Sequence, residues 1–444
     1  MFGSKTYSIV FCLVALVLSS SVLAVNEDST QYVIAKSVSR LMKQSHHEFA
    51  SSVSRRIAMT SGGEEEFTSQ YVENRSYSLY LSKDWKALIL LGDSALDKGF
   101  DYYFLRIRLG VAHYELKHYF IAQNHFDKAL EFNSLEDLPK EYLYYCYVFT
   151  QRFEESRRVA KKFSAALQSK IGFDKLTAVD FVSVEAGKKI TTILDMPDAN
   201  VFDANIGHYL FNRVYFTHSY LNYSQGNDIW NVKQNQYFLK MNVPLKNNWL
   251  LAGSFHFVQR NTTVNLTAPV NSLVKNKTST QIVLGYNYVE SFTVSKYMRN
   301  HEFVLGSTAL WLDSIFQFQN DATYTFYPLS NTKFSIGTKA YLIAQQNYSK
   351  LNFAAMPFIN FKPSNRVNLF ASYLYNQVDN IAEWNGALIN NSPDITTGRF
   401  SLTATLALSP KWDLSATYQN EIKEARYTSN YLFNSMFLSL KFKP

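Results

Sequence analysis

The chain has 444 residues, a formal net charge of +8, 30 tyrosines, 34 phenylalanines and two cysteines. Cys12 sits in the apolar start of the chain, which leaves Cys146 alone beyond it and excludes a disulfide-stapled secreted fold. The lysines and arginines are scattered rather than striped, so nucleic acid is not an expected partner, and a solvated or anion-facing surface is.

Residues 1–24 read as a secretory signal, with Lys5, the apolar run Ile9–Leu18 and Val22-Leu23-Ala24 before a cut after Ala24. The apolar core is too short for a membrane-spanning helix. Ile9-Val10-Phe11 lacks the small residue that a lipoprotein site needs before its cysteine. Residues 28–60 carry a helical pattern in Val33, Ala35, Val38, Leu41 and Met42. Neighbouring side chains on a helix point about 100° apart, so His46 and His47 read as solvent-facing rather than as a metal pair.

Residues 71–170 repeat with a period of 34: Trp85, Tyr119 and Phe153 are so spaced, as are Ala95 and Ala129. The central copy is the fullest, with Leu109, Gly110, Ala122, Phe126 and Ala129 at fixed offsets. It departs at Ser76, Leu88 and Gly92 in the first copy and at Tyr144, Ser156, Ala160 and Phe163 in the third. A helical array over 25–170 is expected, a docking unit without catalytic groups. His113, His118 and His125 are five and seven residues apart, which does not place them on one helix face, and no metal is expected there.

Residues 171–206, with Pro197 and few periodic apolar positions, read as a linker. From 207 to 444 the chain alternates apolar and polar residues in about twelve runs. The clearest is Phe400–Leu408, with Phe400, Leu402, Ala404, Leu406 and Leu408 on one side and Ser401, Thr403 and Thr405 on the other. Runs of ten or more with a Ser/Thr/Gln face are too long for a soluble sandwich and suit a membrane-spanning antiparallel barrel. Short turns at Pro244, Pro328, Pro363 and Pro410 alternate with longer connections over 260–277, 346–349, 378–397 and 423–429. A further turn is expected within 290–299. The fold class is thus α+β in two domains, a helical array followed by a barrel.

By parity, His256, Lys339, Asp413, Gln419, Glu421 and Lys441 face the lumen, as a plug or as a path for a polar substrate. A barrel hydrolase would need a serine beside His218 or His256, and the sequence gives neither one. No Gly-rich phosphate loop, nucleophile elbow or zinc motif is present, and neither an enzyme nor a cofactor is expected.

The central copy resembles tetratricopeptide repeats. That likeness implies that Leu109-Gly110 opens the first helix of the pair, that Ala122 lets the second approach it, and that Phe126 fills the gap, with Trp85, Tyr119, Ala129 and Phe153 as further packing positions. Such repeats before an outer-membrane barrel look like the exopolysaccharide export porins, the surface lipoprotein assembly modifiers and the YaiO-like barrels. Phe442, Leu440, Leu438 and Met436 resemble the terminal assembly signal of such barrels, although Lys443 and Pro444 follow it. The resemblance implies a periplasmic helical domain with periplasmic protein partners, an outer membrane location in contact with lipid, and passage of a glycan or display of a lipoprotein. A structural or adhesive barrel is the remaining alternative.

Overall fold

The structure is a computed structural model that describes residues 67–173, 176–193, 196–268, 277–345, 351–376, 380–391, 394–425 and 430–444. The expected leader and the helix over 28–60 with His46 and His47 lie outside the described residues. The chain divides into two compact units, Met1–Leu143 and Tyr144–Pro444.

The first unit holds α1 (Ser69–Leu81), α2 (Trp85–Asp97), α3 (Tyr103–Glu115), α4 (Tyr119–Phe132) and most of α5 (Asp137–Phe149). Side chains close the helix starts: Thr68 accepts from the backbone N–H of Tyr71, and Asp84 from that of Ala87. The helices touch where a side chain is missing. A Cβ on Gly92 would lie 2.3 Å from Leu109, and one on Gly110 would lie 2.6 Å from the Phe126 ring. Leu88, Leu105, Leu109, Ala122, Phe126 and Ala129 are fully buried around these approaches. Arg108 of α3 reaches Glu73 of α1 through two bonds of 2.9 and 2.6 Å. Burial pushes the Glu73 carboxyl up, but Arg108 outweighs it and the group ends below its usual range.

The period seen in the sequence reappears in the backbone. Lys83, Lys117 and Gln151, one period of 34 apart, all take left-handed φ angles, of 59°, 63° and 61°. Each closes one helix two residues before the next begins at Trp85, Tyr119 or Phe153. One expectation is corrected. Leu109-Gly110 does not open a helix but lies in the middle of α3, which starts at Tyr103 after Asp101 has gripped Arg106 at 2.6 Å. His113, His118 and His125 are also brought together across the α3–α4 turn, with ring centroids 5.8 and 5.3 Å from His113. Burial pushes the His113 imidazole down to about 4.

The second unit contains the end of α5, then α6 (Phe153–Ala160), α7 (Ala165–Lys170) and sixteen strands. These are β1 (Val179–Thr191), β2 (Ala199–Leu210), β3 (Val214–Gly226), β4 (Trp230–Pro244), β5 (Trp249–Ala268), β6 (Lys277–Met298), β7 (His301–Leu312) and β8 (Ile315–Phe326). They continue as β9 (Phe334–Gln345), β10 (Asn352–Phe361), β11 (Val367–Tyr375), β12 (Asn380–Glu383), β13 (Leu388–Asn391), β14 (Ile395–Ser409), β15 (Trp412–Glu424) and β16 (Tyr431–Phe442). Fourteen of them close an antiparallel barrel, with β1 paired to β16, and β12–β13 form a separate hairpin.

The barrel is therefore larger than the twelve strands expected. The two additional strands, β1 and β2, occupy most of the stretch read as a linker over 171–206, so the barrel starts at Val179 rather than 207. Val182, Val184 and Ile190 are exposed on the outer face of β1. Glu185, Gly187 and Lys189 alternate with them and point inward, and that polar set masked the alternation. The turn expected within 290–299 falls at the very end of that span. β6 is a single strand to Met298, and the chain turns at Arg299, which takes the left-handed φ that a tight reversal needs.

The outer face carries apolar and aromatic side chains left exposed, among them Phe202, Phe255, Phe292, Leu305, Phe353, Leu438 and Leu440. Large exposed apolar area of this kind requires a hydrocarbon surround. Among the described residues no helix is long and apolar enough to cross a membrane, so a crossing by these residues is made by strands.

Candidate functional site

The lumen holds the chemistry, because inward side chains there are polar in a fold whose outside is apolar. The inner face is divided into two unlike halves by the β12–β13 hairpin, which leaves the wall after β11 and folds inside the barrel.

Five hydrogen bonds tie the hairpin to the β5 and β8 walls. Ser254 donates to Asn385 O (2.5 Å), and His256 Nδ1 lies 2.7 Å from Gly386 O. Gln317 donates to Asn380 O (3.0 Å), while Gln319 donates to Ala382 O (2.7 Å) and accepts from Ala382 N (3.2 Å). Ile381 packs with Tyr341, Ile343, Ala354, Met356 and Leu374, and Ala382 packs with Val289, Leu310 and Leu312. Trp384 stands edge-on to Phe370 and Phe358. Arg399 of β14 and Glu383 of the hairpin form a buried ion pair. Glu383 Oε1 and Arg399 Nε have no hydrogen-bond partner among the described residues, so this latch is not fully satisfied.

The turn of the hairpin is strained. Trp384, Asn385 and Gly386 have φ angles of 51°, 62° and 79°, and a left-handed tryptophan is an unfavourable choice that its surroundings must enforce.

The opposite half, β14–β16 with β1–β4, is touched by Glu383 of the hairpin at Arg399 and by α6 at Tyr209 and Asn242. Thr403 pairs with Thr417 at 2.9 Å, and Thr405 with Ser415 at 2.9 Å. Along the lower part of this wall the side chains are only partly covered. Cross-strand hydroxyl pairs of this sort satisfy each other and still present oxygen to water.

The six lumen residues named from parity are placed as follows. His256 is 3% exposed, between the hairpin and Gln236 Oε1 at 3.0 Å. Lys339 is paired with Asp321 at 3.1 Å. Glu421 is paired with Lys189 at 3.2 Å and Lys423 at 3.4 Å. Asp413 meets Lys443 at 2.6 Å, Lys441 lies over the Phe181 ring at 4.1 Å, and Gln419 stands opposite Ser401 and Ser435 in the ladder. Thus His256 and Lys339 belong to the covered half, and the other four to the β15–β16 wall. His218 turns outward, with its ring nitrogens 3.1 Å from His208 and 2.8 Å from the Tyr237 hydroxyl. Among the described residues no group of three His, Cys, Asp or Glu is arranged to hold a metal.

Sequence reading missed Glu383, Arg399, Asp321 and Lys189. Glu383 sits in what looked like a loop, and Lys189 in what looked like a linker. Asp321 could have been found, since Gln317, Gln319 and Asp321 alternate with Phe316 and Phe318.

The rim with the short turns is entered by α6. Asn242 donates to Glu154 (3.0 Å), Arg157 donates to Asn212 (2.8 Å) and lies 3.7 Å over the Tyr209 ring. Arg152 donates to Asn248 (3.1 Å) and is held by Glu155 at 2.7 Å, both of them buried. Asn242 and Tyr209 are inward-facing, so α6 seats on the inner edge of the mouth. Burial first, then the neighbouring Glu155, pushes the Glu154 carboxyl above its usual range.

No family model and no curated protein matches the chain. Among solved structures, it is similar to the Pseudomonas putida toluene transporter TodX (TM-score 0.41, 8% identity, 61% of this chain and 92% of that one). It is also similar to the Acinetobacter baumannii outer membrane protein Omp33 (0.34, 10%, 61% and 100%). A third is the translocator domain of the autotransporter NalP from Neisseria meningitidis (0.30, 8%, 67% and 99%). At this level of identity no residue role carries over, and the functional reading rests on the lumen itself.

Proposed function

We propose that this chain is an outer-membrane channel rather than an enzyme, held here in a closed state, that passes a polar molecule such as an extended glycan. The observation that carries the reading is the division of the lumen. A hairpin that is not part of the wall fills one side, and a polar, partly uncovered wall faces it. A barrel needing only rigidity has no use for a separable filling beside a wet face. The seated α6 and the strained Trp384 turn are two places where closure can be released. In this reading the helical repeats stand in the periplasm and recruit protein partners there, and the apolar outer face meets lipid.

The test is single-channel conductance in a planar bilayer. The full chain is compared with a variant in which 380–391 is replaced by a short Gly-Ser link. The expected result is rare or small steps for the full chain and stable, larger steps for the variant. Silence from both, with the barrel shown to be folded by its gel shift on boiling, overturns the channel and favours an anchor or assembly platform.

A further inference from the structure

A cleft of about 480 Å³ lies on the short-turn rim, lined by Arg158, Lys161, Lys162, Asn212, Arg213, Pro244, Leu245 and Lys246. Five of these eight residues are cationic, and none is acidic. They come from three separate segments: the end of α6 and the link after it, the β2–β3 turn, and the β4–β5 turn.

A simpler account is that cations at a helix C-terminus complement its dipole. That covers Arg158 and, less well, Lys161 and Lys162. It does not cover Arg213 and Lys246, which the barrel turns deliver to the same cleft. Among the described residues none of the five forms an ion pair; Lys161 donates only to Phe211 O, at 3.4 Å. Like charges brought together without a counter-charge repel one another. The Nε of Arg158 is moreover buried with no hydrogen-bond partner among the described residues. An unsatisfied guanidinium N–H on a residue that lines a cationic cleft is suited to an acceptor oxygen bound there.

We infer that this cleft binds a phosphate group. Arg158 and Arg213 supply planar forks that match phosphate oxygens, and the three lysines supply point charges around them. Asn212, which also lines the cleft, gives its carbonyl oxygen to Arg157, so its amide N–H is the group it can offer a ligand. Leu210 and Phe211, exposed beside the cleft, offer apolar contact for acyl chains. The phosphate can therefore belong to a phospholipid headgroup or to a soluble phosphate ester. An occupied cleft ties α6 to two barrel turns and so holds it in the mouth. The inference requires the barrel and its rim, and it does not depend on the lumen conducting.

The test uses the full chain in nanodiscs of phosphatidylcholine, with or without phosphatidylglycerol, and in detergent with inorganic pyrophosphate. Hydrogen exchange over 153–162 and lipid retained in native mass spectra are the readouts. Phosphatidylglycerol is expected to be retained about tenfold more by the native chain than by the R158Q/R213Q variant, the scale of losing charge-assisted hydrogen bonds. K362Q, at another short turn, should behave as the native chain. Protection of 153–162 by pyrophosphate alone supports the site and assigns it to a soluble phosphate, and protection by phosphatidylglycerol alone assigns it to lipid. Equal retention and equal exchange in the native chain and R158Q/R213Q overturn the inference, provided both shift on boiling and so are folded.

Discussion

The two halves of the lumen obey the same rule of alternation and end in opposite states. On β14–β16 the inner face around Thr403, Thr405, Ser415, Thr417 and Gln419 is polar and stays partly uncovered, while Arg399, Glu421 and Lys423 towards its other end are buried in ion pairs. On β7–β11 the inner face includes Leu310, Leu312, Tyr341, Ile343, Met356 and Leu374, all of them buried. Since both outer faces are apolar, the covered half is apolar on both sides of the wall at these positions, and the polar groups among them, Gln317, Gln319, Asp321 and Lys339, are buried and bonded. An inner face of that kind in an open, water-filled barrel would cost roughly 25 cal/mol for each Å² exposed. The hairpin is the group that removes this cost, and its own Ile381 and Ala382 are the contacts that do so.

The largest expected effect on this contrast comes from Arg399→Leu. It leaves Glu383 buried without its cation, which costs about 3–5 kcal/mol when a buried pair is broken on one side. The hairpin should detach, with faster hydrogen exchange over 380–391. Unchanged exchange there would mean that the apolar contacts alone hold it.

A matched pair sharpens the comparison further. Leu310→Ala on the covered half removes packing against Ala382 and should destabilise the barrel by about 2–4 kcal/mol. Thr417→Ala on the open half loses one hydroxyl pair and should cost about 1 kcal/mol or less. Urea or guanidinium unfolding of the refolded protein in detergent gives both values, and equal costs would erase the distinction between the halves.

A smaller effect is expected at the mouth and depends on pH. The Glu154 carboxyl is raised when α6 is seated, so the seated state holds its proton more tightly than the released state. Seating is therefore favoured below the ordinary carboxylate range and weakens as pH rises through the raised value. Hydrogen-exchange protection over 153–160, corrected for the intrinsic pH dependence of amide exchange, should fall as pH rises through the raised value, and Glu154→Gln should flatten that trend. A flat native profile would show that Glu154 does not control the seat.

The same contrast explains what the sequence made legible. Phe400–Phe442 announced a barrel because its inner face is wet, so apolar and polar residues separate cleanly. Over 300–375 the alternation blurs: Leu310-Trp311-Leu312 and Tyr341-Leu342-Ile343 are apolar without a break. That blur is itself the signal of a covering element. β1 and β2 were lost for the converse reason, since Glu185, Lys189 and Asp203 on their inner faces made a spanning segment look like a charged linker. The helical period was legible because Trp85, Tyr119 and Phe153 open alternate helices, α2, α4 and α6. The docking of α6 on the barrel was not, because Asn212, Asn242 and Asn248 belong to ordinary turns and strands until the fold brings them to the mouth.

The seam between β1 and β16 has a consequence for biogenesis. Val182 faces Phe442 and Thr191 faces Phe433, so the first strand of the wall can find its partner only when the last one has been synthesised. Contacts this distant in sequence are the slowest to form, because the whole intervening chain must be gathered first. The hairpin at 380–391 is made before that partner strand exists. It can take its place against β5 and β8 on a sheet that is still open, and zipping of the seam then shuts it in without any passage through a finished pore.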